Sequence, residues 1–438
     1  MNALRTGLSA GLRIGICGNG TVGGGTLHIL TEQADLLAQR AGRAVQVTRI
    51  GARRDRDDCP TGSIPVHRDL LEVARADDVD VLVECIGGTE LALDLVREAL
   101  ENGKSVVTAN KALIAVHGNE LLALAEEKGV SLLCEAAVAG GIPILKALRE
   151  GMAGNQVDSL SGIINGTGNF ILTEMGAAAR SFEDVLAEAQ ELGYAEADPT
   201  FDVEGIDAAH KLTILASMAF GTNFDFDGVY CEGISAITPQ DIEFAQELGY
   251  RIKHLGIAKA HASGIELRVH PTLLPERALL ANVDGVLNAV RLEGDAAGQT
   301  VYSGAGAGRL PTASAVVADI VDIARAGDQA VPMLGVPVST LNDRPVLPMD
   351  DVESAWYLRL DVEDRPGVMS ELARSLGEEG ISIEALIQKP PKAQASSVPV
   401  VVLTNEAQEA ALRRAVAVIS ELPAVREAPH CIRVEMGA

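Results

Sequence analysis

The sequence predicts an α/β protein with three parts: a doubly wound parallel sheet, a second α+β domain and a C-terminal ferredoxin-like unit. Three observations support this prediction. A glycine-rich turn joins the first strand to a helix, strands and helices alternate to about residue 150, and the residues after 355 follow the order βαββαβ. The chain has 438 residues, which is enough for several domains with their own cores.

The first strand, Leu12–Cys17, leads directly into the motif Gly18-Asn19-Gly20-Thr21-Val22-Gly23, and a helical pattern follows from Thr26. In a G-x-G-x-x-G turn the first glycine makes the tight bend, the second lets the backbone approach a pyrophosphate, and the third allows the helix to pack closely on the strand. The N–H groups at the helix N-terminus favour a bound anion. The sequence therefore predicts a Rossmann-like dinucleotide site at Gly18, Gly20 and Gly23.

Four further strands continue the alternating pattern, and with the first they define a dinucleotide-binding domain over residues 11–150. They are predicted at Val45–Ala52, Val79–Cys85, Lys104–Thr108 and Val130–Cys134. A glycine loop at 303–308 opens another helix, so residues 301–335 are expected to return to this domain.

The remaining chain changes in character. Residues 151–300 are predicted to form an α+β substrate domain, with helices near 181–192 and 202–220. Residues 336–354 contain many Pro, Asp and polar turn residues and are interpreted as a linker. The βαββαβ unit over 355–438 is then expected to be separate.

Composition excludes several classes of function. The net charge of −25 and the aromatic content of 3% argue against nucleic acid and against an anionic membrane surface as partners. No apolar run is long enough to span a bilayer, and no signal peptide pattern precedes the first strand. The six cysteines show no C-x-x-C spacing, so zinc ribbons and disulfide scaffolds are unsupported. A cytoplasmic protein acting on a small-molecule substrate is expected.

The end of the second strand indicates which dinucleotide is bound. An NAD site usually has an acidic residue there, whereas this strand ends in Ala52-Arg53-Arg54-Asp55. A guanidinium group can bind a 2′-phosphate through two hydrogen bonds. The sequence therefore favours NADP(H), with NAD(H) still possible as a cofactor. The alternative is that Arg53 belongs to a solvated basic loop.

Three other motifs carry side chains suited to chemistry. Lys111 follows the fourth strand at the sheet edge where such folds bind ligands, although Asn110-Lys111 also suits a simple helix cap. Asp207 and Lys211 are spaced i,i+4 and share a helix face, which favours proton transfer by a partly buried lysine but also suits a surface ion pair. Residues 135–143 combine one carboxylate, Glu135, with small residues whose carbonyls can hold a monovalent cation, or they form only a tight loop.

Together these motifs resemble bacterial homoserine dehydrogenase with a C-terminal ACT domain. The resemblance spans nearly the whole chain, and its motifs are Gly18–Gly23, Thr108–Lys111, Glu135–Val138, Gly162–Thr167, Glu196–Lys211 and the ACT-like Asp364–Val368. It implies interconversion of L-homoserine and L-aspartate 4-semialdehyde on the route to threonine and methionine, with physiological flux in the reducing direction. A homodimer or homotetramer is expected.

The resemblance implies roles for individual residues. Lys211 would be the acid/base lysine, Asp207 would orient it or hold substrate, and Lys111 would lie between cofactor and substrate. Glu196 would bind the substrate ammonium group, and Gly193 would line the pocket.

Two ligand sets also follow from the resemblance. The cofactor would be contacted by Thr21, Val22, Arg53 and Gly308. Sodium would be bound by Glu135, Val138, Gly140 and Ile142, mostly through backbone oxygens. One departure from the family pattern is Asn19, which stands where leucine is commoner, and we expect no effect of this change on phosphate binding.

The C-terminal turn Asp364-Arg365-Pro366-Gly367 is placed to bind an amino-acid effector, for which the resemblance suggests L-threonine. If it does so, a chain truncated near Asp350 is expected to keep its catalytic residues and lose sensitivity to threonine. The alternative is that this domain only dimerises.

Three other functions need different residues. An aspartate-semialdehyde dehydrogenase needs an activated cysteine nucleophile, and no cysteine here has a catalytic neighbourhood. A hydroxyacid dehydrogenase with an ACT domain needs a catalytic histidine with an acidic partner, which His210 lacks in the sequence pattern. A non-catalytic sensor would not need Asp207 and Lys211 beside the cofactor.

Overall fold

The N-terminal part of the chain forms a six-stranded parallel sheet in a computed structural model that describes residues 11–388 and 397–437. Its elements are β1 Leu12–Cys17, α1 Thr21–Glu32, α2 Ala34–Ala41, β2 Val45–Gly51, β3 Val66–His67, α3 Leu70–Arg75, β4 Val81–Glu84, α4 Glu90–Glu101, β5 Ser105–Thr108, α5 Lys111–Lys128, β6 Leu132–Leu133 and α6 Ile144–Lys146. The strand order is β3-β2-β1-β4-β5-β6, in which the chain reverses direction across the sheet between β1 and β4. The predicted doubly wound Rossmann-like fold is confirmed.

The middle of the chain contains a long antiparallel hairpin that the sequence pattern did not indicate. Its elements are β7 Val157–Ile163, α7 Gly166–Ala178, α8 Phe182–Glu191, α9 Thr200–Val203, α10 Ile206–Phe220, β8 Tyr230–Cys231, α11 Pro239–Glu247, β9 Tyr250–His261, β10 Gly264–Pro275, β11 Leu287–Gly294, β12 Gly298–Ala305 and α12 Arg309–Ala326. Strands β9 and β10 pair along their whole length. Strands β11 and β12 form a second hairpin.

The helix predicted over 202–220 is interrupted. It is split into α9 and α10 because Gly205 has a φ of +87°, in the left-handed region. A Cβ atom at this position would also lie 2.9 Å from Cγ1 of Val269. The break makes Ile206 the first residue of a new helix and places Asp207 in its first turn.

The C-terminal residues form the predicted ferredoxin-like unit. Its elements are β13 Glu353–Glu363, α13 Val368–Glu378, β14 Ile383–Gln388, β15 Ser397–Thr404, β16 Ala407–Gln408, α14 Glu409–Ser420 and β17 His430–Val434. The strands have the order β17-β13-β15-β14. One face of this sheet buries Trp356, Leu358 and Leu360 against Leu372 and Leu412 of the two helices.

By their contacts the residues divide into two compact units. The first comprises Met1–Leu160, Ala209–Val229 and Leu287–Arg344, and the second comprises Ser161–Ala208, Tyr230–Val286 and Pro345–Ala438. Helix α12 belongs to the first unit, where the carbonyl of Arg309 approaches Gly25 of α1 so closely that a Cβ atom there would lie 2.6 Å from it. This approach of α12 to α1 is consistent with the expectation that residues 301–335 return to the nucleotide-binding domain.

The C-terminal unit is packed against the rest of the second unit. The linker composition of residues 336–354 had instead predicted that it would be separate. Strand β17 pairs in parallel with β10 through Thr272 and Arg433. The second face of the ferredoxin-like sheet, which includes Tyr357 and Val401, shares a core with Phe170 of α7. A sequence pattern shows that a sheet has an apolar face but not which helices cover it, and this is why the docking was not predicted.

A buried charge network accompanies this docking. The guanidinium of Arg268 on β10 is 1% exposed and lies 3.0 Å from Glu266 and 3.2 Å from Glu435. Arg433 on β17 lies 2.7 Å from both Glu232 and Glu409. Buried charges of this kind are tolerated only when paired, so the network fixes β10 and β17 in one register.

Among the described residues, no helix combines the length and the apolar character needed to cross a bilayer.

Candidate active site

The glycine turn after β1 has the geometry that a pyrophosphate site needs. Gly18 has a φ of +101°, and a Cβ atom on Gly23 would lie 1.7 Å from the carbonyl oxygen of Gly18. Only glycine at position 23 therefore lets α1 begin this close to the turn. A Cβ atom on Gly20 would meet no atom within 4 Å, so this side of the turn is open. Thr21 and Val22 are the first residues of α1, where backbone N–H groups point out of the helix.

A cleft of about 500 Å³ opens beside the turn and brings several predicted residues together. It is lined by Gly18, Asn19, Gly20, Gly51, Ala52, Arg53, Arg54, Arg56, Leu70, Cys85 and Ile86. Gly18, Gly20 and Arg53 thus share one cavity, as a dinucleotide site requires. Gly308 begins α12 as its N-cap residue, with a φ of +127°.

The loops after β4 and β5 are joined by a buried carboxylate. Glu84 is fully buried, and its Oε1 accepts hydrogen bonds from the N–H groups of Ile86 (2.8 Å) and Gly87 (3.1 Å). Thr108 donates from Oγ1 to Oε2 of Glu84. Asn110 donates to the carbonyl of Gly88 (2.7 Å). These bonds hold the two loops together at the carboxyl edge of the sheet.

Lys111 is placed by the same arrangement. The side chain of Asn110 accepts from the N–H of Leu113 at 3.1 Å and caps α5, so the predicted helix cap is present. Lys111 is the first residue of α5 and is half-buried. Its position at the head of the helix follows directly from the cap and the two fixed loops.

Asp207 is held by a residue to which the sequence analysis gave no role. Asn165, the N-cap of α7, donates from Nδ2 to Oδ2 of Asp207 (2.8 Å) and to Oδ1 of Asp202 (2.8 Å). Its Oδ1 accepts from the N–H of Gly168 (2.7 Å). Asp207 is only 4% exposed, so this contact fixes the orientation of a buried carboxylate. The available signal was the Asn165-Gly166-Thr167 turn, but nothing local pairs it with position 207.

Lys211 lies one helical turn after Asp207 on α10 and is half-buried. The predicted shared helix is therefore confirmed. The neighbouring His210 is buried and stacks on Phe226, with ring centroids 4.2 Å apart and planes at 3°. This contact is a packing arrangement, as expected for a structural histidine.

Gly193 and Glu196 lie in the exposed segment between α8 and α9. Gly193 has a φ of +75°, which ends α8 with a sharp turn. Its N–H donates to the carbonyl of Gln190 at 3.1 Å. The carbonyl of Glu196 accepts from Nε2 of Gln190 at 3.0 Å.

The Glu135 loop turns through two left-handed residues, Ala139 (φ +53°) and Gly140 (φ +46°). The buried Glu135 carboxylate accepts from the N–H groups of Leu145 (3.0 Å) and Lys146 (2.9 Å), and it thereby caps α6. The carbonyl of Ile142 accepts from the N–H of Ile144 at 2.8 Å.

A second carboxylate lies beneath this loop. The N–H of Glu135 donates to Oδ2 of Asp319 at 2.8 Å. Burial raises the pKa of Glu135 and of Asp319, and Lys146 beside Asp319 opposes the shift. The loop therefore combines backbone carbonyls with concentrated negative charge. Within residues 11–388 and 397–437, no group of three His, Cys, Asp or Glu side chains is arranged to hold a metal ion.

Comparison with known protein families agrees with this geometry. The profile described as "Homoserine dehydrogenase, NAD binding domain" matches residues 18–135, "Homoserine dehydrogenase" matches 143–321, and "ACT domain" matches 356–421. The homoserine dehydrogenase of Pseudomonas aeruginosa is 55% identical over 428 residues, which cover 97% of this chain and 99% of that protein.

The chain belongs to the homoserine dehydrogenase family.

Solved structures of the family share the fold. The crystal structure of a homoserine dehydrogenase from Thiobacillus denitrificans matches with a TM-score of 0.93 at 51% identity, covering 97% of this chain and 98% of that one. A hyperthermophilic archaeal homoserine dehydrogenase in complex with NADPH matches with a TM-score of 0.61 at 27% identity, covering 71% of this chain and 97% of that one.

Membership of this family establishes the class of reaction that the protein catalyses. The protein is an NAD(P)-dependent oxidoreductase that acts on a CH–OH group, and it serves amino-acid biosynthesis as a homoserine dehydrogenase. The C-terminal unit is an ACT domain. The predicted family, fold class and enzyme class are confirmed.

Proposed function

We propose that this homoserine dehydrogenase reduces L-aspartate 4-semialdehyde with NADPH in preference to NADH. The observation that carries the proposal is the pair Arg53 and Arg54 at the end of β2, where an NAD site would have an acidic residue. Arg53 is exposed and lines the cleft beside the glycine turn. The NADPH complex of the archaeal relative supports the same cofactor.

Lys211 is the proposed proton donor. When bound, the nicotinamide supplies a hydride to the aldehyde carbon. Negative charge then develops on the carbonyl oxygen, and the Lys211 ammonium stabilises this charge and transfers a proton to it. Asp207 orients Lys211 or holds substrate, and its fixation by Asn165 supports this assignment. Lys111 assists between cofactor and substrate, while Glu196 and Gly193 serve the substrate ammonium group and pocket.

A monovalent cation, Na⁺ by resemblance, is proposed at Glu135, Val138, Gly140 and Ile142. The chemistry of the donor set fits this group, because carbonyl and carboxylate oxygens suit hard cations and the loop contains no thiolate or imidazole ligand. The bound ion would offset the negative charge of Glu135 and Asp319. Its expected contribution is to the geometry of the loop.

The ACT domain is proposed to bind L-threonine at the Asp364–Gly367 turn. Feedback requires threonine to bind a less active state more tightly than the active one. We also propose a cytoplasmic homodimer or homotetramer. The proposed domains are 11–150 with 301–335 for the cofactor, 151–300 for substrate and 355–438 for regulation, joined by residues 336–354.

The assignment of Lys211 is tested by steady-state kinetics with aspartate semialdehyde. We expect Lys211→Met to lower kcat by about a hundredfold or more while NADPH still binds, since general acid catalysis contributes roughly that much. Lys128→Met, at the exposed end of α5, is the matched control and should behave as wild type. Near-normal turnover in folded Lys211→Met would contradict the proposed mechanism.

Cofactor preference is tested in the same assay with NADPH and NADH. We expect Arg53→Ala to raise KM for NADPH much more than KM for NADH, because only NADPH carries the 2′-phosphate. Equal effects on both cofactors would identify Arg53 as part of an ordinary surface loop.

A further inference from the structure

Asn19, the residue that departs from the commoner family pattern, joins two parts of the cofactor cleft. Its side chain donates from Nδ2 to the carbonyl oxygen of Arg54 at 2.9 Å. Asn19 lies in the glycine turn after β1, and Arg54 lies in the loop after β2. Both residues line the same cleft of about 500 Å³. A leucine at position 19 has no donor with which to make this bond.

The loop after β2 is anchored at three places. Arg68 donates to the carbonyl of Ala52 at 3.0 Å and pairs with Asp55 at 2.8 Å, which fixes the start of the loop. Arg309 donates to the carbonyl of Asp58 at 3.2 Å, which fixes its end. Between these anchors, and among the described residues, the backbone of Arg53 and Arg54 receives one side-chain hydrogen bond, that from Asn19.

The arginines in and beside this loop differ in their partners. The guanidinium of Arg56 pairs with Asp58 at 2.8 Å, and that of Arg68 pairs with Asp55. No ion pair in the described part of the chain engages Arg53 or Arg54, and both side chains are exposed. The two unpaired guanidinium groups are therefore available to an anion, and the backbone that carries them is held by Asn19.

We propose that Asn19 is a positioning residue that fixes the Arg53–Arg54 backbone for the 2′-phosphate and so selects NADPH over NADH. This inference rests on the proposed preference for NADPH. A loop held in its binding conformation before the ligand arrives loses less conformational entropy on binding. Because the bond holds the backbone that carries Arg53 and Arg54, its loss should affect the binding of NADPH and not the hydride-transfer step. The earlier expectation that the change to Asn19 leaves phosphate binding unaffected is replaced by this proposal.

The test uses two variants of the full-length enzyme. Asn19→Leu removes the donor with little change in size, and Asn19→Asp keeps the shape but replaces the donor by a negative charge. Asn102→Leu is the matched control, since Asn102, the exposed C-cap of α4, also donates from Nδ2 to a backbone carbonyl, that of Glu98 at 2.7 Å. For each protein, kcat and KM are measured with NADPH and with NADH. Calorimetry gives the Kd of 2′,5′-ADP and of 5′-ADP.

We expect Asn19→Leu to raise KM for NADPH and Kd for 2′,5′-ADP by about fivefold, the effect of losing one hydrogen bond. For this variant KM for NADH, Kd for 5′-ADP and kcat should stay within about twofold of wild type, and Asn102→Leu should change nothing. Asn19→Asp should weaken NADPH further than Asn19→Leu does, because its carboxylate also repels phosphate groups. This split distinguishes positioning from general loss of structure, which would weaken both cofactors and both nucleotides.

Three results would overturn the inference. If Arg53→Ala abolishes a preference for NADPH but Asn19→Leu leaves that preference intact, the loop is held without Asn19 and only the cofactor proposal stands. If Asn19→Leu weakens NADH and NADPH equally, Asn19 supports the glycine turn alone. If wild type shows no preference for NADPH and Arg53→Ala is silent, the cofactor proposal and this inference both fail.

Discussion

Deletion of residues 351–438 removes the ACT domain and tests whether it is a detachable module. The deletion removes β17, which pairs with β10, and it removes one side of a shared hydrophobic core. The side chains lost from that core are Ala355, Tyr357, Val401, Leu403, Ile432 and Val434. The residues left behind include Phe170, Met175, Ile242 and Phe244, which would become exposed.

The expected loss in free energy of unfolding follows from this exposure. Burial of one large apolar side chain contributes about 1.5–3 kcal/mol. If the surface left behind is equivalent to about five such side chains, the loss is roughly 8–15 kcal/mol. This is comparable to the whole stability of a typical domain, about 5–15 kcal/mol.

The deletion has two further costs. It removes the partners of charged groups that remain in the chain, among them Glu435, which pairs with Arg268 and Lys259. It also exposes the edge of β10, which can then pair with other chains. We therefore expect aggregation, and not an active enzyme that has only lost sensitivity to threonine.

The assay is expression of residues 1–350, followed by size-exclusion chromatography and thermal unfolding monitored by circular dichroism. The full-length chain is the reference, and a co-expressed fragment 351–438 should restore solubility if the lost interface is the cause. A soluble truncated protein that unfolds cooperatively within a few degrees of the full-length chain would refute the reasoning. Threonine sensitivity is better tested in the intact chain with Asp364→Ala, and indifference of the wild type to millimolar threonine would contradict the effector proposal.

Three other predictions concern single contacts. Asn165→Ser keeps the α7 cap but loses the hydrogen bonds to Asp202 and Asp207, so its kcat should fall about tenfold or more. Asn165→Ala also loses the cap and with it about 1 kcal/mol of stability. Equal kinetics for Asn165→Ser and wild type would exclude a positioning role. Burial alone would raise the pKa of Asp241, but His430 and Arg359 hold it well below its ordinary value of 3.8. The stability contributed by ionised Asp241 is therefore present above about pH 4 and is lost as pH falls further. The difference in unfolding free energy between wild type and Asp241→Asn should accordingly be smaller at pH 3 than at pH 5. Activity should depend on Na⁺ or K⁺ and survive EDTA, whereas inactivation by the chelator would contradict a monovalent cation at the Glu135 loop.

Features that depend on local spacing could be predicted from the amino-acid sequence. The glycine turn, the alternation of strands and helices, and the βαββαβ order each express backbone preferences over a few residues, and all three are present in the structure. The Asp207–Lys211 pair could be placed on one helix because i,i+4 residues share a face. The position of Arg53 followed from the end of the second strand.

Contacts between residues far apart in the chain could not be predicted in this way and are seen only in the folded protein. Asn165 meets Asp207 across 42 residues, and Asn19 meets Arg54 across 35. The docking of β17 on β10 joins segments that are still further apart, and it made the expected separate domain part of a larger unit. Such partners are selected by how whole elements pack and which polar groups burial forces to pair. Local composition does not encode that choice, because an asparagine that suits a helix cap, such as Asn165, gives no local sign that it also bonds a distant buried carboxylate.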